Sequence, residues 1–163
     1  MREIFFRAKA INRIDGLEYR TKYKNGDWVF GLLSKPYHDF NGYIQSAEMR
    51  NTDGVDGIDV DHETLGQYTG LMDKNGVKIF EGDIVRIYCD YDSLDGFSKT
   101  AHDDFLVKWD SDTLSFIFCA VYPTGEIDDQ PYNIGDLDID DIHVISNIHD
   151  KPELVGGDDH AAD

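Results

Sequence analysis

Apolar and polar positions alternate over short stretches of this chain, and turn residues interrupt them every eight to twelve positions. That pattern predicts many short strands. Ile4-Phe5-Phe6-Arg7-Ala8 is the first aromatic and β-branched run, and Trp28-Val29-Phe30-Gly31-Leu32-Leu33 is the second, ended by Ser34-Lys35-Pro36. Asn25-Gly26-Asp27 is a turn signal, so residues 17–24 are expected to pair with 28–33 as a hairpin. Tyr43-Ile44-Gln45 predicts a further short strand. Residues 51–63 hold two glycines, five carboxylates and no basic residue, which predicts a loop. Strands are expected over 64–71, 77–80, 84–89, 105–109, 114–121 and 142–148. Asp73-Lys74-Asn75-Gly76 and Glu81-Gly82-Asp83 are tight turns between them, and Asp110-Ser111-Asp112 is a third. Residues 90–104 read as a long polar loop, 135–141 as room for one helical turn, and 156–163 as a frayed tail. No segment keeps a 3.6-residue period over eleven residues. The expected class is all-β: a short-stranded, barrel-like core with an N-terminal β extension and little helix. The expected organisation is an N-terminal β segment (1–50), an acidic loop (51–63), a core (64–155) and a flexible tail (156–163), together one compact domain.

Composition narrows the function. The chain has 163 residues, 40% hydrophobic, with nine Tyr and nine Phe, which is too apolar for a disordered chain. A domain of this length buries about 70% of its unfolded surface and needs no metal or disulfide to fold. Its net charge of −18 speaks against bulk electrostatic binding to nucleic acid or anionic lipid. No apolar run reaches membrane-spanning length, and the first residues show no signal-peptide stretch. Cys89 and Cys119 fit buried thiols in a reducing cytoplasm. The charge is uneven. Residues 1–30 carry seven basic and four acidic side chains, whereas residues 126–163 carry twelve acidic ones and only Lys151. This describes either a solvated acidic surface or a chain that assembles with itself, basic end on acidic face.

Chemistry is harder to find. The acidic loop, with Asp53, Asp56, Asp59, Asp61 and Glu63, does not place ligands and glycine as a calcium loop requires. It reads as an acidic surface, or as a looser cation site. His62-Glu63 lacks the second histidine of a zinc-protease helix, since position 66 is Gly66. His143, His149 and Asp150 flank the last strand without a ligand spacing. No nucleophile elbow, phosphate loop or dinucleotide fingerprint occurs. Glu81 and Asp83 could hold a divalent cation for hydrolysis, but a tight turn explains the same residues. The expectation is therefore no catalytic residues, no metal and no cofactor.

One stretch is specific: Gly66-Gln67-Tyr68-Thr69-Gly70-Leu71-Met72-Asp73-Lys74-Asn75-Gly76-Val77-Lys78-Ile79-Phe80-Glu81-Gly82-Asp83-Ile84-Val85, entered through Val60-Asp61-His62-Glu63-Thr64. It resembles the signature of the YopX family of phage and prophage proteins. The start, Ile4-Phe5-Phe6-Arg7-Ala8-Lys9, is similar to that family's first strand. The end, Val144-Ile145-Ser146-Asn147-Ile148-His149-Asp150-Lys151-Pro152-Glu153-Leu154-Val155, is similar to its last segment. Lys9, residues 10–24, Ser146 and the length of the 90–104 segment depart from it. The resemblance implies a barrel-like all-β core, a phage or prophage origin, a bacterial host cytosol, and no activity to carry over. In the signature, Tyr68, Leu71, Ile79, Phe80, Ile84 and Val85 are expected between turns that fix strand register. Alternatively, Gln67, Tyr68 and Thr69 line a binding groove, with Trp28, Trp109, Tyr37 and Tyr43 as further anchors. The expected function is non-catalytic binding of a host or phage protein, or of a second copy, with no direct nucleic-acid or membrane binding. An acidic DNA mimic and a metal-dependent hydrolase using Glu81 and Asp83 are the alternatives.

Overall fold

The computed structural model describes residues 4–11, 23–38, 42, 44–51, 57–92, 98–128, 130–133, 137 and 141–156. Of these, the side chains of 35, 44, 45, 89–92, 98–100 and 133 lie outside the description. The chain forms two compact units, 1–68 and 69–163.

In the first unit, β1 (Phe6–Lys9), β2 (Trp28–His38), β3 (Ile44–Asn51), β4 (Ile58–Val60) and the start of β5 (Gly66–Met72) lie in the order β4-β3-β2-β1-β5. All pairings are antiparallel. Alternation puts Ala8, Val29, Ala47, Met49, Ile58 and Val60 on one face, where they make the unit's core with Phe6, Leu33 and Leu65. The 24–27 turn closes through Asp27 N–H on the Lys24 carbonyl (3.0 Å), and Gly26 takes the left-handed φ of 88° that the turn needs. The strand beside β2 at Trp28–Gly31 is β1, with Phe6 opposite Gly31 and Lys9 opposite Trp28. The expected hairpin arm at 17–22 lies outside the described residues.

Three local expectations are corrected here. β2 does not end at Ser34: it continues through Pro36, because register shifts after Leu33 and after Tyr37 let the strand absorb a proline. Residues 58–60, read as loop, are β4, because Ile58 and Val60 are buried on either side of Asp59. His62–Thr64 then forms a 3₁₀ turn capped by Asp61, whose carboxylate accepts from Glu63 N–H (3.0 Å).

In the second unit, the end of β5 lies beside β6 (Lys78–Phe80). A five-stranded sheet follows, in the order β10-β9-β8-β7-β11. Its members are β7 (Asp83–Asp92), β8 (Ser98–Asp110), β9 (Ser115–Val121), β10 (Tyr132–Asn133) and β11 (Ile142–Asn147). One face carries Val85, Ile87, Phe105, Val107, Phe118 and Ile142, which form the second core with Ile79. The expected loop over 90–104 is corrected: β7 runs on to Asp92 and β8 begins at Ser98, paired residue by residue down to Asp92 opposite Ser98. Hydrogen bonding between two polar strands needs no apolar face, so the hydropathy pattern hides it. The 135–141 helical turn and the 156–163 tail fall largely outside the described residues. The chain is all-β with little helix, as its pattern predicts, but among the described residues no barrel closes. The strands form open antiparallel sheets. Two-residue β10 and β11, which is bulged between Val144 and Ser146, are poor partners for closure.

Candidate functional site

The two signature turns are built by buried carboxylates. Asp73 Oδ1 accepts from Asn75 N–H (2.8 Å) and Val77 N–H (2.9 Å), and its Oδ2 accepts from Val144 N–H (3.3 Å) on β11. Burial pushes its pKa up, but these backbone donors outweigh that and hold it below the ordinary value. Asp83 is fully buried and accepts from Phe80 N–H (2.7 Å) across Gly82, whose φ is +80°. The Glu81-Gly82-Asp83 segment is thus a capped turn, with Glu81 half-buried beside it. Among the described residues, no group of three or more His, Cys, Asp or Glu is placed to hold a metal.

The other sequence candidates scatter. Tyr68 and Thr69 are buried rather than groove-lining, and Thr69 Oγ1 donates to the Ile79 carbonyl (2.8 Å). Gln67 is half-buried opposite Phe6. Trp28 is half-buried beneath two cations, Arg7 at 4.8 Å and Lys9 at 5.3 Å from its ring centroid. Trp109 is exposed at the end of β8 and packs edge-on against Phe116. Tyr37 donates to Glu48 across β2 and β3 (2.8 Å). Tyr43, Asp53 and Asp56 lie outside the described residues. Asp59 and Asp61 are half-buried, and Glu63 is exposed. Asp150 accepts from Asn147 Nδ2 in the turn after β11 (2.7 Å). Cys119 is buried, and the Cys89 side chain is outside the description.

The second face of the five-stranded sheet carries what the sequence reading missed. Period two along β7 places Ile84, Arg86 and Tyr88 there, opposite Leu106, Asp104 and His102 of β8. Arg86 grips Asp104 with two bonds, Nε–Oδ1 at 2.7 Å and Nη2–Oδ2 at 2.9 Å. The Asp104 hydrogen bond raises the guanidinium pKa further, so Arg86 stays charged. Next to it, the Tyr88 ring meets His143 edge-on at 5.4 Å and His102 at 5.7 Å. Asp141 Oδ1 accepts from both Lys74 Nζ and His143 Nε2. The Lys74 bond, the largest influence, keeps the Asp141 pKa low.

Beside this polar strip opens a groove of about 410 Å³. Ile84, Ala120, Val121 and Leu154 supply its apolar lining, and Arg86, His102, Asp103, Asp104 and Glu153 its polar lining. The 122–125 turn and a C-terminal 3₁₀ turn, Pro152–Leu154, form its walls. Tyr122 fixes the first wall by donating to Asp128 (2.8 Å). Gly125 fixes the second: it is buried at φ +85°, and a Cβ there would stand 2.6 Å from Gly156 N. The available sequence signal was the alternation Ile84-Arg86-Tyr88. Its partners His102 and Asp104 sat in residues read as loop, so the strip could not be assembled from the sequence.

Among the described residues, no helix is long and apolar enough to cross a membrane. No curated protein matches the chain. Among solved structures, the chain is similar to protein EF1440 from Enterococcus faecalis, with 23% identity over 95% of this chain and 99% of that one, at a TM-score of 0.46. The profile of the YopX protein family matches residues 7–156, nearly the whole length. With its signature turns made by Asp73 and Asp83, this chain belongs to the YopX family.

Proposed function

We propose that this YopX-family chain is a phage or prophage accessory protein that works in the bacterial cytosol by binding another protein, without catalysis of its own. The groove on the five-stranded sheet carries this reading. It combines an apolar floor with a few fixed polar groups, the usual make-up of a recognition site. Of Glu81 and Asp83, the carboxylates with a claim to cation chemistry, Asp83 is occupied in capping a turn. The test is affinity capture from bacterial lysate with wild type and Leu154→Asp in parallel. A partner held by wild type and lost from the variant supports the groove; equal capture by both removes it.

A DNA mimic is the second reading. The unit spanning 69–163 holds 22 acidic against 6 basic residues, a density that imitates a phosphate backbone. Under that reading the captured partner is a nucleic-acid-binding protein released by 0.5 M salt. A partner retained at that salt counts against mimicry.

A further inference from the structure

We infer that this chain associates with itself head to tail: the β8–β9 hairpin end of one copy docks on the outer face of β1 and β2 in a second copy. This contact is separate from the groove and goes beyond the reading above. Leu114 prompts it. The residue is 73% exposed, and its φ of +54° lies in the left-handed region. Folding alone favours Gly or Asn at such a position, because a large L side chain strains the backbone and gains nothing in water. The turn that holds it is well made. Asp110 accepts from the amides of Asp112 and Thr113, both at 3.2 Å, and the Thr113 and Ser115 hydroxyls lie 2.9 Å apart. Trp109, also exposed, stands at the same end, edge-on against Phe116. The tip thus presents two apolar side chains beside Asp110 and exposed Asp112, and no Lys or Arg occurs between Lys108 and Lys151.

The complementary surface lies in the first unit. Val29 and Leu33 of β2 join the core, so Trp28, Phe30 and Leu32 face outward. Phe30 is 40% exposed and Leu32 51%. A cation stands directly across from each: Lys9 from Trp28, Arg7 from Phe30 and Arg50 from Leu32. Arg7 is buried, so half-buried Lys9 and exposed Arg50 are the cations a partner reaches. Glu48, one step further along that face of β3, takes the Tyr37 hydroxyl proton, and Asp59 lies opposite it on β4. An apolar row flanked by cations therefore fits an apolar tip flanked by carboxylates. Two such faces, or two such tips, would meet with like charge, so the contact joins different surfaces. It also sets a near-neutral unit against an acidic one: by sequence, residues 1–68 hold 11 acidic and 9 basic side chains, and 69–163 hold 22 and 6. A hairpin end on one strand face is a small contact, below about 1,200 Å², so a Kd between about 10 μM and about 1 mM is expected.

The test is sedimentation velocity of the full chain from about 10 μM to about 1 mM, with two variants chosen to keep the fold. Leu114→Gly removes the apolar tip and relieves the left-handed strain, so Tm should rise by about 2–4 °C while association is lost. Leu32→Glu sets a carboxylate across from Arg50, which supports the β2–β3 pairing, and should also abolish association. Each variant alone should stay monomeric. Mixed one to one they should pair, because Leu114→Gly keeps the face and Leu32→Glu keeps the tip. Wild type that is monomeric throughout overturns the inference, as does a mixture that stays monomeric or association that survives either variant. A lower Tm for Leu114→Gly overturns it as well, since Leu114 would then serve the fold. A lysate protein held by wild type and lost from Leu114→Gly, with wild type alone monomeric, would give the tip a different partner and also overturn it. None of these outcomes bears on the groove, which Leu154→Asp tests.

Discussion

Asp73 shows how one side chain can fix three parts of the fold. Its carboxylate closes the turn between β5 and β6 and also accepts from Val144 N–H on β11. Asp73→Ala strands these donors and should cost about 1–3 kcal/mol. Asp73→Asn keeps one acceptor oxygen and should cost about 1 kcal/mol, read from the midpoint of urea unfolding at pH 7. The pH dependence has a definite direction. The folded carboxyl titrates below its unfolded value of about 3.9, so its stabilisation is present in full above that pH. It is lost as pH falls through the lower folded value. The gap in stability between wild type and Asp73→Asn should therefore be constant from pH 7 to 5 and narrow below pH 4. A gap that widens on acidification would show that the carboxyl is protonated more readily in the folded state. Asp83 makes a parallel case: its carboxylate is buried on Phe80 N–H, so Asp83→Ala should unfold the protein at lower urea.

Pairs of strands depend on two glycines for different reasons. Gly31 lies in β2 opposite Asn51 of β3, and a Cβ there would run into the Arg50 carbonyl. Gly31→Ala must push β2 and β3 apart, at about 3 kcal/mol, the top of the range for overpacking. Gly125 has both a left-handed φ and no room beside Gly156. Gly125→Ala should leave the sheet intact but displace the C-terminal segment. Faster hydrogen exchange at Leu154 and Val155, whose amides bond back to Lys151 and Pro152, would register that. Exchange unchanged at both positions would show that the segment is held from elsewhere. These elements mark what the sequence made legible. Runs bounded by Asn-Gly and Glu-Gly-Asp turns were readable, because turn chemistry and alternation agree over 64–89. The β7–β8 extension was not, because Asp90–Asp92 and Ser98–Asp104 show no apolar alternation in sequence, while their pairing runs through the backbone ladder. The groove followed that extension out of sight. Its rim residues His102, Asp103 and Asp104 all lie in the segment read as loop, and its far wall comes from Pro152–Leu154, some fifty residues later. Tyr68 and Thr69 failed as surface candidates because both are buried, on opposite faces of β5, and Thr69 Oγ1 bonds the Ile79 carbonyl.

Charge acts on the molecule as a whole. The chain carries −18, and 22 of its 33 carboxylates fall in residues 69–163 against 6 cations. Arg86–Asp104 and Lys74–Asp141 are ion pairs among its described residues, and by sequence its acidic residues outnumber its basic ones by 16 (22 − 6). Self-repulsion from that excess opposes the compact state. Screening by salt should therefore stabilise the protein, although it weakens the exposed Lys74–Asp141 pair. Raising NaCl from 0.01 to 0.1 M shortens the screening length from about 30 to about 10 Å. Tm should rise across that interval and level off above it. Asp103→Asn with Asp112→Asn removes two exposed charges and should raise Tm at 0.01 M NaCl while flattening the salt response. A Tm that falls with salt would mean that the ion pairs outweigh the repulsion.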